Sequence, residues 1–233
     1  MKKTLAFLII FFNFVFVSCD DGRIYEEHLI MPEEGRVVKL TGNLIGAEKW
    51  SSGYSVVVAG FDDTKDYAVI TKAIPLTECR EVVLSGISDE VTHIELCVVN
   101  RLRKRILSYE TFECPLVTDT IRLDVGTKDV GMYAAIQSQL FNTTCANCHG
   151  ASTQAAAGLF LTDGKSYGAL VNKYSRKVED KLLVKPNDAD ESILYQALAT
   201  NISAMWNYDH TKEVLSDEWL DVLEDWIDDG AKE

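Results

Sequence analysis

Only one long apolar run interrupts this chain of 233 residues, which is otherwise 47% apolar and 25% charged in ordinary globular proportion. The scarcity of such runs excludes a polytopic membrane protein, and the apolar fraction excludes a disordered chain. Cations are also short, with 23 Lys and Arg against 36 Asp and Glu, for a net charge of −13. Phosphate backbones would be repelled by this balance, so nucleic acid is excluded as a partner. There is no second C-x-x-C string and no paired His to complete a four-ligand zinc site. No internal repeat or low-complexity segment is present. No Ser/His/Asp set, phosphate-cradling glycine loop or spaced carboxylate pair stands out in residues 35–126. That stretch is therefore expected to be a spacer or protein-binding module rather than an enzyme.

The apolar run lies at the extreme N-terminus, where Met1-Lys2-Lys3 precedes Leu5 to Val17 and closes on Ser18-Cys19. A membrane span needs about 20 apolar residues, and this run is shorter; positive start, apolar middle and small residue form the layout of an export signal. Val15-Phe16-Val17-Ser18-Cys19 resembles a bacterial lipobox. The resemblance implies that residues 1–18 are removed and that Cys19 is acylated as a membrane anchor. The other reading is a plain secretory signal with Cys19 incidental. Either way the chain is expected to be exported, and with the lipid to sit on the periplasmic side of a membrane or at the cell surface, as in Gram-negative bacteria. Loss of Lys2 and Lys3 makes the mature chain more acidic still. Residues 19–34 read as a polar tether.

From residue 35 to residue 126 the pattern is that of short strands. Arg36–Leu40, Tyr54–Phe61, Tyr67–Ile74, Glu81–Leu84, Thr92–Asn100, Arg105–Phe112 and Thr118–Val125 are rich in Val, Ile, Tyr and Thr and are separated by polar or Gly-containing turns. In Thr92–Val99, Ile94, Leu96 and Val98 alternate with His93, Glu95 and Cys97. Seven such strands predict an antiparallel, Ig-like β-sandwich. Around Gly126 to Gly131 the apolar spacing turns helical, which predicts a second, all-α domain over residues 127–233. Tyr133, Ile136, Leu140 and Phe141 form one stripe, and Ser166–Tyr174 and Ser192–Ala199 are expected as further helices. The last helix is expected to start at Ser216, carry Asp217 and Glu218 in its first turn and stop at Gly230.

The six cysteines are Cys19, Cys79, Cys97, Cys114, Cys145 and Cys148. Export allows at most one disulfide among Cys79, Cys97 and Cys114; three buried thiols are the alternative. Cys145-Ala146-Asn147-Cys148-His149 is a C-x-x-C-H string. Two thiols at this spacing can reach both vinyl groups of one haem, and a His directly after the second can place an imidazole nitrogen on its iron. A low-spin electron-transfer haem needs a sixth ligand, commonly Met sulfur or a second imidazole. Beyond the motif, the helical stretch offers Met132, Met205 and His210, of which Met205 is the expected ligand and His210 the alternative, both lying in a loop before the last helix.

Residues 136–231 resemble class I c-type cytochrome domains. The resemblance is carried by Ile136-Gln137-Ser138-Gln139-Leu140-Phe141, the Cys145–Gly150 string, Ala157-Gly158-Leu159-Phe160-Leu161, Lys185-Pro186-Asn187-Asp188 with Ser192-Ile193-Leu194, and Trp226-Ile227-Asp228-Asp229-Gly230-Ala231. It implies one covalent haem c on Cys145 and Cys148, with His149 as proximal and Met205 as distal iron ligand. It also implies that Pro186 supplies a carbonyl beside the proximal ring. The family usually has Pro directly after the ligand Met, where this chain has Trp206. Trp206, Tyr208, Trp219 and Trp226 are candidates to pack on the macrocycle.

The chain is thus expected to be a lipid-anchored electron carrier that serves a redox partner protein, not a self-contained enzyme. Two rival expectations are a haem sensor with an open distal side for a gas or peroxide, and a β module that tethers the haem to a partner enzyme. The basic run Arg101-Leu102-Arg103-Lys104-Arg105 could meet an anionic partner, and the acidic face of the last helix a basic one.

Overall fold

Val, Ile and Thr branch at Cβ and sit more easily in strands than in helices. Seven stretches rich in such residues form β1 (Arg36–Ile45), β2 (Tyr54–Phe61), β3 (Ile70–Ala73), β4 (Cys79–Ile87), β5 (His93–Asn100), β6 (Arg105–Glu113) and β7 (Ile121–Asp129). The structure is a computed structural model that describes residues 35–233 except 77, 78, 151–154, 203, 205, 207 and 215. The signal segment, Cys19, the tether, Met205 and the side chain of Cys79 lie outside the described residues.

The strands make two sheets, ordered β4-β1-β7 and β3-β2-β5-β6. Val38 and Leu40 of β1, Val82 and Leu84 of β4, Val56 and Val58 of β2, and Ile94, Leu96 and Val98 of β5 fill one core. The alternation in β5 marks this face correctly, but its other face is covered too. There Cys97 joins Val57, Ala59, Phe61, Ala68 and Val99 in a second apolar cluster. Glu95 is buried beside them, held by Arg105 at 2.5 Å and His93 at 3.1 Å. Burial on both faces is why β2 reads as a continuous apolar run.

Arg36, at the start of β1, is buried without a carboxylate partner among the described residues. Its guanidinium donates to the carbonyls of Cys114, Ser88, Val91 (2.7 Å) and Pro115 (3.4 Å), and to Cys114 Sγ at 3.1 Å. One planar fork of donors thereby ties β1 to the turn before β5 and to the end of β6.

Beyond β7, the helices are α1 (Met132–Ile136), a π-helical segment (Gln137–Cys145), α2 (Ala146–His149), α3 (Ser166–Leu170), α4 (Ile193–Ala199) and α5 (Asp217–Asp228). Among the described residues only α5 exceeds two turns of α-helix. Trp219, Val222, Leu223, Trp226 and Ile227 are its buried residues. It ends as the sequence predicts: Gly230 has φ +96°, its N–H bonds Ile227 O at 3.0 Å, and Ala231 N–H bonds Trp226 O at 2.9 Å. These two bonds are a Schellman closure. Ser216 holds the N-cap position in extended conformation, but its hydroxyl makes no capping bond to the helix. Among the described residues no helix is long and apolar enough to cross a membrane.

Two parts of the fold-class expectation are corrected. The first sheet is mixed rather than antiparallel, because β1 pairs antiparallel with β4 but parallel with β7. The chain leaves β6 at one edge of the second sheet and delivers β7 to the free edge of β1 in the same direction. The second correction concerns the multidomain fold with an all-α cytochrome c domain, which is not seen. The protein is mostly sheet, with short helices set among turns and bridges. The predicted helix over 166–174 stops at Leu170, where Val171 turns extended and bridges Val184, Asn172 takes φ +57°, and Tyr174 bridges Leu182. Left-handed residues at Asp180 and Asn187 prevent helix from resuming before α4. The helices do not close on a core of their own. Tyr133, Ile136, Phe141, Leu223 and Trp226 belong to the same apolar cluster as the inner faces of the sheets, and residues 34–233 form one compact unit.

The basic run at the β5–β6 turn is largely engaged within the molecule. Lys104 pairs with Glu218 of α5, Arg105 with Glu95 and Asp66, and Arg101 donates to Ser52 at 3.4 Å. The acidic face of α5 is likewise partly turned inward: Asp225 accepts from Tyr54.

Candidate functional site

The C-x-x-C-H string lies where the π-helical segment passes into α2. The wide winding runs from Gln137 to Cys145, with Ala146 N–H reaching back to Phe141 O. Thr144 Oγ1 donates to Leu140 O at 3.0 Å and Thr143 Oγ1 to the same oxygen at 3.3 Å, so hydroxyls serve a carbonyl in this loosened turn. Below it, Tyr133 O–H bonds Ser166 Oγ at 2.5 Å, and the Ser166 hydroxyl donates to Gln137 Oε1. Gln137 Nε2 in turn donates to Asn142 Oδ1 at 2.7 Å and Leu161 O at 3.1 Å. This satisfied buried chain fixes the helix against α3 and the loop behind the motif.

Cys145 and Cys148 are both free thiols, Cys145 half-buried and Cys148 exposed. Burial pushes the Cys145 thiol up from its usual range, and nearby Glu213 adds to the shift. A nucleophilic redox pair needs the opposite, a thiol pulled down by positive surroundings. His149 Nδ1 faces Ala156 O at 3.0 Å. A carbonyl can only accept, so Nδ1 carries the proton and Nε2 keeps a free lone pair. The accepting carbonyl comes from a tight turn, Ala156–Gly158, in which Ala157 has φ +52° and Gly158 φ +66°. A Cβ on Gly158 would stand 2.3 Å from Arg176 Nη1, so no other residue fits without moving that guanidinium. Leu161 N–H closes the loop onto His149 O at 2.8 Å.

Opposite His149 stands His210, with ring centres 6.4 Å apart and planes 26° from parallel. His210 opens a short 3-10 turn, His210–Glu213, where Asp209 accepts from Thr211 N at 3.2 Å and Oγ1 at 2.7 Å. Trp206 and Tyr208 meet the His210 ring edge-on at 5.6 and 4.9 Å. Trp206 Nε1 donates to Tyr208 O at 3.1 Å, and Tyr208 O–H donates to Glu213. His210 Nδ1 is buried and makes no well-aligned hydrogen bond among the described residues, although the Tyr208 backbone lies close enough to the ring to favour its protonated form. Burial, then the neighbouring His149, holds the His210 pKa below its usual value.

The remaining sequence candidates fall elsewhere. Pro186 lies in the turn that docks on the C-terminal end of α5, through Asn187 N to Ile227 O and Ala189 N to Asp228 Oδ1, both 2.8 Å. The carbonyl beside His149 is that of Ala156. Trp219 and Trp226 are core: Trp226 stacks on Tyr133 at 5.3 Å and bonds Lys232 O at 2.8 Å. Met132 is buried in the core, and Met205 lies outside the described residues. Cys97 and Cys114 are free and buried. A cleft of about 360 Å³ opens between Tyr54 and Asp221, Asp225 and Asp229, and its lining contains no residue of the motif. Sequence reading did not find Ala156, because a backbone carbonyl has no side-chain signal.

Comparison with family models, with curated proteins and with solved structures finds no match to this chain. The residues present nonetheless suit a covalently held haem. Two free thiols sit one helical turn apart, a histidine keeps one nitrogen open, and a second histidine with an orphaned buried nitrogen has its ring centre 6.4 Å from the first.

Proposed function

We propose that this protein is an exported electron carrier with one haem c attached through Cys145 and Cys148 and held at iron by His149. The supporting observation is the geometry of His149: Ala156 O takes the Nδ1 proton at 3.0 Å and leaves Nε2 bare, immediately after two unpaired thiols. A haem held there supplies a one-electron iron couple. Cys145 and Cys148 would hold the haem through thioether bonds, each thiol hydrogen going to the second carbon of the vinyl group its sulfur bonds, so attachment would need no oxidant. The Ala156 carbonyl orients the ring and makes Nε2 a stronger donor. Exposed Cys148 puts this end of the helix at the surface, where a partner protein can approach. The proposal does not need a separate helical domain. Cys19 is the proposed lipid anchor, which keeps the carrier at a membrane and in the compartment its leader implies.

The test is to produce the chain with its leader in a host able to attach haem c. The mature protein should gain the mass of one haem that survives acid-acetone extraction. Cys145→Ala with Cys148→Ala should abolish that gain, and His149→Ala should perturb the spectrum of any haem retained. Absence of covalent haem from the wild-type chain would overturn the reading.

A further inference from the structure

The side of the site facing His149 carries a second histidine, His210. The rings of His149 and His210 are near parallel with centres 6.4 Å apart. A metal–nitrogen bond is about 2 Å, so two imidazoles on opposite sides of one iron have ring centres roughly 6 Å apart. An ordinary aromatic contact accounts for such a distance too, but leaves unexplained why His210 Nδ1 is buried without a well-aligned hydrogen bond among the described residues. Buried polar atoms are nearly always satisfied, and an open ring nitrogen on a histidine that stands beside another histidine is what a missing metal partner leaves behind. His210 is also held in place. Asp209 caps its turn, and the Trp206 and Tyr208 rings close on it from the edge, tied to each other and to Glu213. A ligand positioned by its own shell costs little to order when the metal binds.

We propose that His210 is the second axial ligand, so that the haem of this protein is held by two imidazoles, His149 and His210. The inference rests on the haem reading above and replaces the sulfur ligation expected at Met205. Two neutral nitrogens stabilise ferric iron more than a nitrogen and a thioether do, so the potential lies below that of a Met-ligated haem. A filled sixth position also closes the iron to gases and peroxide, which favours electron passage over sensing.

The experiment uses the full mature protein with its haem, confirmed by mass. Optical and paramagnetic resonance spectra are recorded for wild type, His210→Ala, His210→Met and Met205→Ala, with circular dichroism to confirm folding. Low-spin wild type without the red charge-transfer band of an iron–sulfur bond is expected. Met205→Ala should leave it unchanged, and His210→Ala should turn it high-spin, with added imidazole restoring low spin. His210→Met should raise the potential and bring in the sulfur band. If Met205→Ala turns high-spin while His210→Ala stays low-spin, the proposal is overturned and haem attachment stands. A wild type that is already high-spin likewise overturns it. No covalent haem at all overturns the attachment reading, and this proposal with it.

Discussion

Trp50 and Val130 are joined by a hydrogen bond of 2.6 Å, indole N–H to carbonyl, at the point where the sheets hand over to the helical stretch. Tyr109 O–H donates to the same carbonyl at 2.9 Å. A backbone oxygen two residues before α1 is thus pinned by one side chain from the β1–β2 connection and one from β6. With one apolar core running through both regions, sheets and helices should unfold together. Near-ultraviolet dichroism and amide dichroism should give coincident denaturant midpoints. Trp50→Phe should cost about 1 kcal/mol, since the Tyr109 bond remains, and Trp50→Ala about 3–5 kcal/mol. Two separated transitions would show that the stretches are energetically independent.

Arg36 carries a second expectation. Its guanidinium is buried and satisfies four carbonyls from two segments, Ser88 and Val91 before β5 and Cys114 and Pro115 after β6. Arg36→Met fills much of the volume but leaves those carbonyls without donors, and should cost roughly 2–4 kcal/mol. Arg36→Lys should recover only part, because one ammonium cannot span the same acceptors. Urea titrations of the three proteins check the order.

Two carboxylates of α5 should respond to acid with opposite sign. Lys104 pairing pulls Glu218 down from 4.5 to about 2. A depressed carboxylate contributes stability that is present above its unfolded pKa and is lost as pH falls through the folded one. The Glu218 contribution should therefore fade between about pH 4.5 and pH 2, and shrink with added salt because the pair is partly exposed. Asp225 is pushed up, chiefly by burial, and its neighbours Asp229 and Asp221 add to it while the Tyr54 bond opposes. A raised carboxylate does the reverse: stability is full at low pH and declines as pH rises through the folded pKa. Glu218→Gln should flatten the acid limb of the stability curve, and Asp225→Asn should raise stability at neutral pH. The same change from both substitutions would refute this division.

How much of this could be read in the sequence depends on the range of the cause. The strands were legible because Ile94, Leu96 and Val98 declare one face through a period of two, a local property. The parallel pairing of β1 with β7 was not, because strand order is decided by which edge a distant connection can reach. Helix in 166–174 was over-read: the apolar spacing is present, but Val171 and Asn172 take conformations that tertiary bridging to Val184 and Tyr174's own bridge reward. At the site, Cys145, Cys148 and His149 announce themselves by spacing. His210 was visible only as one loop candidate, since its distance from His149 belongs to the folded chain. Arg36 gave no sign, because its partners are backbone carbonyls some fifty to eighty residues away.

Gly158 provides a test that separates orientation of His149 from attachment of haem. Its backbone is left-handed at φ +66°, and a Cβ there meets Arg176 at 2.3 Å. Gly158→Ala should cost roughly 1–2 kcal/mol from the backbone alone and shift the turn that carries the Ala156 carbonyl. Cys145 and Cys148 lie outside that turn, so covalent attachment should persist by mass. With the Nδ1 bond weakened, the imidazole donates less strongly through Nε2 and ferric iron loses stabilisation. The potential measured by redox titration should therefore rise relative to wild type. A variant that loses stability while its potential stays unchanged would show that the Ala156 carbonyl supports the fold without tuning His149.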